Sequence, residues 1–163
     1  MKKFPLIVGS AVALLLAGCA SAPVALAPVG PGPYASKAAA SPTGGLIVYS
    51  AKVARREGDN PTWFQHTDYY LEGAQKSERV DNTVGHYEER PRTVHLAAGN
   101  YTVKAKASDG QWVTVPVVVQ RGETTIVSLD GSWNPVAGDG VGVVRMPNGS
   151  PVGWRSDLTM TGN

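Results

Sequence analysis

The stretch that decides the fold runs from residue 93 to residue 129 and reads TVHLAAGNYTVKAKASDGQWVTVPVVVQRGETTIVSL. It divides into four short apolar segments separated by three turns, of which Asp109-Gly110 is the clearest. Within the segments apolar and polar residues alternate, which predicts strands with one face in a core. The residues expected to face the core are Tyr101, Val103, Ala105, Ala107, Val113, Val115, Val117 and Val119.

Shorter apolar runs before this stretch predict further strands. Leu46–Val53 is a continuous apolar strand, and Arg55–Thr67 is a polar loop. Tyr69–Leu71 and Lys76–Val80 predict a strand pair, and Gly85–Arg90 is a further extended run. The pattern gives about seven strands joined by turns, so we expect an all-β domain over residues 46–133, folded as an antiparallel two-sheet sandwich.

The order of residues in this region resembles a known kind of module. Val94, Leu96, Gly99, Tyr101 and Val103, followed by a glycine-centred turn and a valine strand, are similar to carboxypeptidase-regulatory-like and PEGA-type β-sandwich domains. The resemblance is good over residues 93–129 and loose over 46–92. It implies a sandwich fold and a structural or binding role, because such modules are attached to many surface and secreted proteins.

Residues 134–163 form a tail rich in glycine and proline. Val141–Met146 and Val152–Arg155 flank an Asn-Gly pair, which predicts a hairpin. Prolines beside that pair weaken strand pairing, so both a docked hairpin and a loose tail are open.

The N-terminus carries an export signal. Two lysines precede an apolar run from Leu6 to Leu16, and a run of this length is typical of a secretory signal and too short to span a bilayer. The sequence Leu-Ala-Gly-Cys at residues 16–19 resembles the lipobox of bacterial lipoproteins. That resemblance implies cleavage of residues 1–18, diacylglyceryl transfer to the Cys19 sulfur and further acylation, for instance by palmitate, of the new amine.

The chain after the signal predicts where the domain is held. Residues 19–45 are rich in alanine, proline and glycine and indicate a disordered tether between the lipidated Cys19 and the domain. Ala20 follows the cysteine, which by similarity to Gram-negative sorting rules implies the outer membrane. The partner expected first is therefore the lipid bilayer, bound through acylated Cys19.

Charge and cysteine content exclude several functions. The chain has 15 basic and 13 acidic side chains, and two of the basic ones lie in the predicted signal, so the mature body is nearly neutral. Such a body has no electrostatic footprint for nucleic acid. The one cysteine excludes an intrachain disulfide and any multi-cysteine metal site.

The sequence contains no recognisable catalytic motif. No nucleophile elbow, phosphate loop or clustered histidine spacing is present. His66 with Asp68, and His86 with Glu88, have strand spacing that could suggest metal ligands, but solvent-facing polar positions explain them better. We expect a protein that is not an enzyme and needs no metal or cofactor, with a small hydrolase or metal enzyme as the less favoured alternative.

Aromatic residues are the better candidates for a binding role. Tryptophan and tyrosine present flat apolar surfaces with a polar edge, which suits stacking on sugars or on a protein partner. The candidate binding residues are Trp63, Tyr69, Trp112 and Trp133. We expect a membrane-anchored domain that binds or supports an envelope polysaccharide or envelope protein; the alternative is a subunit of a larger envelope complex.

Overall fold

A computed structural model describes residues 25–33, 35, 41–74, 76–135 and 142–156. Within these residues the protein is all-β, as predicted, with no helix. The predicted signal 1–18, Cys19 and much of the predicted tail (136–141 and 157–163) lie outside the described residues. The strands are β1 (Val29–Gly30), β2 (Thr43–Tyr49), β3 (Lys52–Arg55), β4 (Trp63–His66), β5 (Tyr69–Glu72), β6 (Ser77–Val80), β7 (Thr93–Ala97), β8 (Gly99–Lys106), β9 (Trp112–Val119), β10 (Thr124–Ser128), β11 (Val143–Arg145) and β12 (Pro151–Arg155).

The largest sheet has seven strands in the order β11-β12-β1-β9-β8-β5-β6. Its centre is the β8–β9 hairpin, paired without interruption from Gly99 opposite Val119 to Lys106 opposite Trp112. The predicted turn is confirmed, since Gly110 adopts a φ of 81° that favours glycine. The predicted inward alternation is also confirmed from Val103 onward in β8 and from Val115 onward in β9.

A second sheet has three strands in the order β10-β2-β7. Here β10 runs parallel to β2, and in the large sheet β1 runs parallel to β9. The expectation of purely antiparallel sheets is therefore wrong. Over the region where about seven strands were expected, the described residues form nine, β2 to β10. Parallel partners lie far apart in sequence, so turn signals between neighbouring strands cannot reveal them.

The core contains one continuous set of apolar side chains drawn from the seven-stranded (large) sheet and the three-stranded (small) sheet. Leu46, Val48 and Val127 of the small sheet belong to the same cluster as Val103 and Val117 of the large one. Burial of these side chains at about 25 cal/mol per Å² is the main stabilising term. The opposite face of each sheet is consequently directed away from this core.

The chain ahead of residue 46 is partly built into the domain, which corrects the prediction of a disordered tether over residues 19–45. β1 pairs antiparallel with β12 and parallel with β9. Val29 is fully buried and Leu26 nearly so; they are the larger aliphatic side chains of residues 25–33, where alanine, glycine and proline make up the rest. The C-terminal hairpin β11–β12 docks through β1 onto the same sheet.

The predictions of one strand over 46–53 and of a loop over 55–67 are also wrong. The chain breaks at Ser50, and a separate two-stranded sheet forms from β3 and β4. Ser50 is buried, and its hydroxyl donates to the Thr67 carbonyl at 2.5 Å. The residues predicted as a strand at 85–90 form turns, with one isolated bridge between Thr83 and Pro91.

A buried asparagine connects the chain around Ser50 to the rest of the domain through hydrogen bonds. The Asn82 amide nitrogen donates to the Val48 carbonyl at 2.9 Å and to the Ser50 hydroxyl at 3.2 Å, and its amide oxygen accepts from the Arg92 N–H at 3.1 Å. Such a satisfied buried amide fixes the positions of three chain segments.

The described part of the chain contains no helix that is long and apolar enough to cross a bilayer.

Candidate aromatic binding cleft

Aromatic side chains form three groups outside the core of the described domain. Two of the groups lie on open surface, and one lines a cleft. The groups are Trp133 with Trp154 and Tyr49, Tyr70 with Trp112, and Trp63 with His86 and Tyr87.

The cleft is built where β10 of the small sheet meets β12 of the large one. Trp133 and Trp154 form one corner, with ring centroids 5.5 Å apart and planes at 68°. Tyr49 and Ile126 line another side, and Ile126 is 44% exposed, an unusual value for so apolar a side chain. The enclosed volume is about 440 Å³, which lies within the range of small-molecule sites.

Two glycines create room for this corner. A Cβ atom on Gly32 would lie 2.5 Å from Cδ1 of Trp154, so the indole rests directly on the backbone. A Cβ on Gly153 would lie 2.4 Å from a Val29 methyl and 2.8 Å from the Ile126 carbonyl oxygen. Close approach of β12 to β10 therefore requires glycine at residue 153.

Hydroxyl groups supply the polar part of the cleft. Ser128 and Ser132 line it, and both side chains donate to Oδ1 of Asp130, at 3.4 and 2.8 Å. The Asp130 side chain is 2% exposed, and Lys52 Nζ lies 3.5 Å from its Oδ2. No hydrogen-bond partner for Oδ2 is found within the described residues. The buried carboxylate thus orients the serines while its charge is balanced by Lys52.

Comparison with known proteins adds no identification. No protein-family model, curated protein or solved structure matches the chain. The chemistry of the cleft therefore rests on its own residues, and none of the described residues lining it is charged.

The second group lies on the outer face of the large sheet. Tyr70 and Trp112 are 42% and 48% exposed, with ring centroids 6.0 Å apart. Lys106 Nζ lies 5.6 Å from the centre of the Trp112 ring, a cation–π distance. This face presents an aromatic pair beside the lysine.

Trp63, the first of the predicted binding residues, packs in a small exposed cluster. Its ring contacts those of His86 and Tyr87 at centroid distances of 5.4 and 5.0 Å. Glu57 accepts a hydrogen bond from His86 Nε2 at 3.1 Å. Because these side chains contact one another, the cluster stabilises the loop over residues 83–90 against β4.

Tyr69 does not fit the predicted binding set. Its side chain is fully buried in the core, and its exposed neighbour Tyr70 takes the outward position instead. Tyr69 is therefore not available to a ligand; two adjacent tyrosines give no alternation from which the inward ring could be chosen. Burial also raises the pKa of Tyr69, whose hydroxyl finds no hydrogen-bond partner among the described residues.

Three of the four residues considered as metal ligands have separate partners within the protein. His66 Nδ1 donates to the Ser50 carbonyl at 2.6 Å, Asp68 pairs with Arg79, and His86 pairs with Glu57. Glu88 is exposed, and no group of three potential ligands occurs in the described ranges.

His66 is buried, whereas the sequence predicted a solvent-facing position. Burial lowers its pKa from the ordinary value of 6.5 and outweighs the Ser50 hydrogen bond and the Asp130 carboxylate, which raise it. Its ring packs edge-on against Tyr49 at 5.4 Å, so the histidine supports the wall of the cleft.

Proposed function

We propose that the protein is a bacterial envelope lipoprotein, anchored through acylated Cys19, whose two mixed sheets form a sandwich that binds an envelope component without catalysis. The observation that carries the binding part is the uncharged cleft with Trp133 and Trp154 at its corner. Tryptophan is enriched among the residues that contribute most to binding energy in protein interfaces, and its flat apolar ring also suits a sugar face. The lipobox supports the anchor, and the outer membrane is the proposed address.

The position of β1 sets the distance between the proposed anchor and the domain. Nine residues, and therefore ten residue-to-residue steps, separate Cys19 from Val29, the first residue of the large sheet. A chain of that length spans at most about 35 Å. On this proposal the domain works close to the membrane surface, and its partner is a component found there.

The anchor is tested by fractionating cells that produce the chain or its Cys19→Ala variant. The unaltered chain is expected in the membrane pellet with an acylated N-terminal cysteine by mass spectrometry. The variant is expected uncleaved or soluble. Mature variant protein found wholly in the pellet would refute the lipid anchor.

The binding role is tested by crosslinking isolated envelopes and recovering the chain. Trp133→Ala removes one wall of the cleft from a segment outside the strands, and Trp112→Ala is the matched control on the flat face. We expect the first variant to recover markedly less envelope material than the second. Equal recovery by the two variants would contradict a role for the cleft.

A second candidate function, assembly into a larger envelope complex, is favoured by one observation. β7 is an edge strand of the small sheet, and Thr93, His95 and Ala97 along it are exposed. Exposed edges accept an added strand from a partner. A proline at His95 would block such pairing, and unchanged co-purification of partners by the His95→Pro variant would exclude this edge.

A further inference from the structure

We infer that the occupant of the cleft is a neutral sugar unit that donates a hydrogen bond to Ser132. The inference rests on the proposed binding function and narrows it to one ligand class. It uses the orientation of the hydroxyl groups, the neutrality of the lining and the geometry of the two indoles.

The orientation of the serines decides the polarity of the ligand. A serine hydroxyl has one proton, and the Ser132 hydroxyl donates that proton to Asp130 Oδ1 at 2.8 Å. The oxygen lone pairs of the exposed Ser132 are then left for a ligand, so this serine acts as an acceptor, whereas Ser128 is buried at the base of the cleft. The backbone N–H of Ser132 also donates to the same carboxylate oxygen at 3.1 Å, which fixes the geometry. A matching ligand must bring O–H or N–H donors.

The lining excludes a strongly charged occupant. All described residues around the cleft are neutral, and the nearest carboxylate, Asp130, is buried with Lys52 beside it. A free acid or ammonium entering this space would be desolvated without a partner of opposite charge. Charge complementarity therefore favours a neutral ligand.

The aromatic corner favours a ring with an apolar face and a polar rim. Trp133 and Trp154 meet at 68°, so a flat ring can stack on one indole while its edge contacts the other. The volume of about 440 Å³ suits one or two sugar rings with their water. A hexose has C–H groups on its faces, which can stack on an indole. It also has hydroxyl donors at its rim, which can donate to the Ser132 oxygen.

The inference is tested by calorimetric titration of the full-length chain in detergent micelles. The probes are the tetrasaccharide of β-1,3-linked glucose, its fully O-methylated derivative, tetragalacturonate and an apolar tetrapeptide. We expect saturable binding of the neutral glucan and none of the methylated form, because methylation removes every donor while keeping the ring faces.

Variants assign the binding to the cleft. Trp133→Ala should weaken glucan affinity by about 30-fold, as for a central aromatic contact. Ser132→Ala should weaken it by about 5-fold, as for one neutral hydrogen bond. Trp112→Ala serves as control and should leave affinity unchanged. A methylated glucan that binds as well as the free one would overturn the donor assignment.

Preference for tetragalacturonate or for the peptide would overturn the ligand class. So would the absence of glucan binding, or glucan binding that is insensitive to Trp133→Ala. If the glucan fails while Trp133→Ala still reduces recovery of envelope material, the saccharide inference is wrong and the binding function stands. If the glucan does not bind and Trp133→Ala leaves the recovery of envelope material unchanged, the saccharide inference and the binding function are both wrong.

Discussion

The cleft and the flat face use the same kinds of side chain and give different surfaces. At the flat face β5, β8 and β9 pair in regular register, so Tyr70 and Trp112 stand side by side on a plane. At the cleft, Gly32 and Gly153 let Trp154 sink onto the backbone, and the surface becomes concave. Exposed aromatic rings alone therefore do not define a binding site; the backbone beneath them decides whether a ligand can be enclosed.

The largest effect should follow from filling the glycine that shapes the cleft. Gly153→Ala forces a methyl group against Val29 and the Ile126 carbonyl and should lower the free energy of unfolding by about 3 kcal/mol. Gly110→Ala, near the flat face, meets nothing within 4 Å and should cost about 1 kcal/mol from its positive φ alone. Urea unfolding measures both. Equal losses would show that β12 and β10 are less closely packed than described.

Replacing Trp154 of the cleft and Trp112 of the flat face should change the free energy of unfolding by different amounts. Trp154 is half-buried against Trp133 and Gly32, so Trp154→Ala should cost about 2 kcal/mol. Trp112→Ala on the flat face should change stability by less than about 0.5 kcal/mol. Thermal unfolding of the two variants gives the comparison, and a stable Trp154→Ala protein would mean that the corner is not preformed.

Acid should weaken the cleft side of the molecule first. The pKa of His66 is lowered in the folded state, so the unfolded chain binds the proton more readily and stability falls as pH drops through 6.5. The contribution of neutral His66 to the free energy of unfolding is complete at pH values well above 6.5. Hydrogen exchange at pH 7.5 and 5.5 should show earlier opening of β2 and β4 than of β9. A His66→Gln variant with the same pH slope would assign the effect to another group.

The smallest effect concerns the cation–π pair of the flat face. Lys106→Met keeps the length of the side chain and removes its charge above Trp112. A double-mutant cycle with Trp112→Ala should give a coupling of about 0.5 kcal/mol that salt reduces. A coupling of zero would mean that the two side chains are merely adjacent.

Local patterns predicted the centre of the domain well. The alternation around Val103 and Val115, and the Asp109-Gly110 turn, specify the β8–β9 hairpin because every contact is between neighbours in sequence. β1 could not be found in this way. Two residues carry no periodicity, and their pairing depends on β9 and β12, nearly 90 and 125 residues away.

The candidate site was predictable only in part. Trp133 was selected as an aromatic in a loop, but its partner Trp154 comes from the far end of the chain and meets it only in the folded state. Asp130 and the two serines form a local Ser-x-Asp-x-Ser pattern that typifies a turn as well as a site. The short strand with Tyr69 and Tyr70 offered no phase, and only the core determines which ring turns inward.

The place of β1 has a consequence for the order of events during export. One of its two neighbours, β12, is the last strand of the described chain, so β1 cannot gain that neighbour until residues 151–155 have been synthesised. On the proposed pathway, enzymes acting at Cys19 would reach their substrate before this strand is sealed between its neighbours. The protein would thus receive its lipid first and complete its largest sheet afterwards.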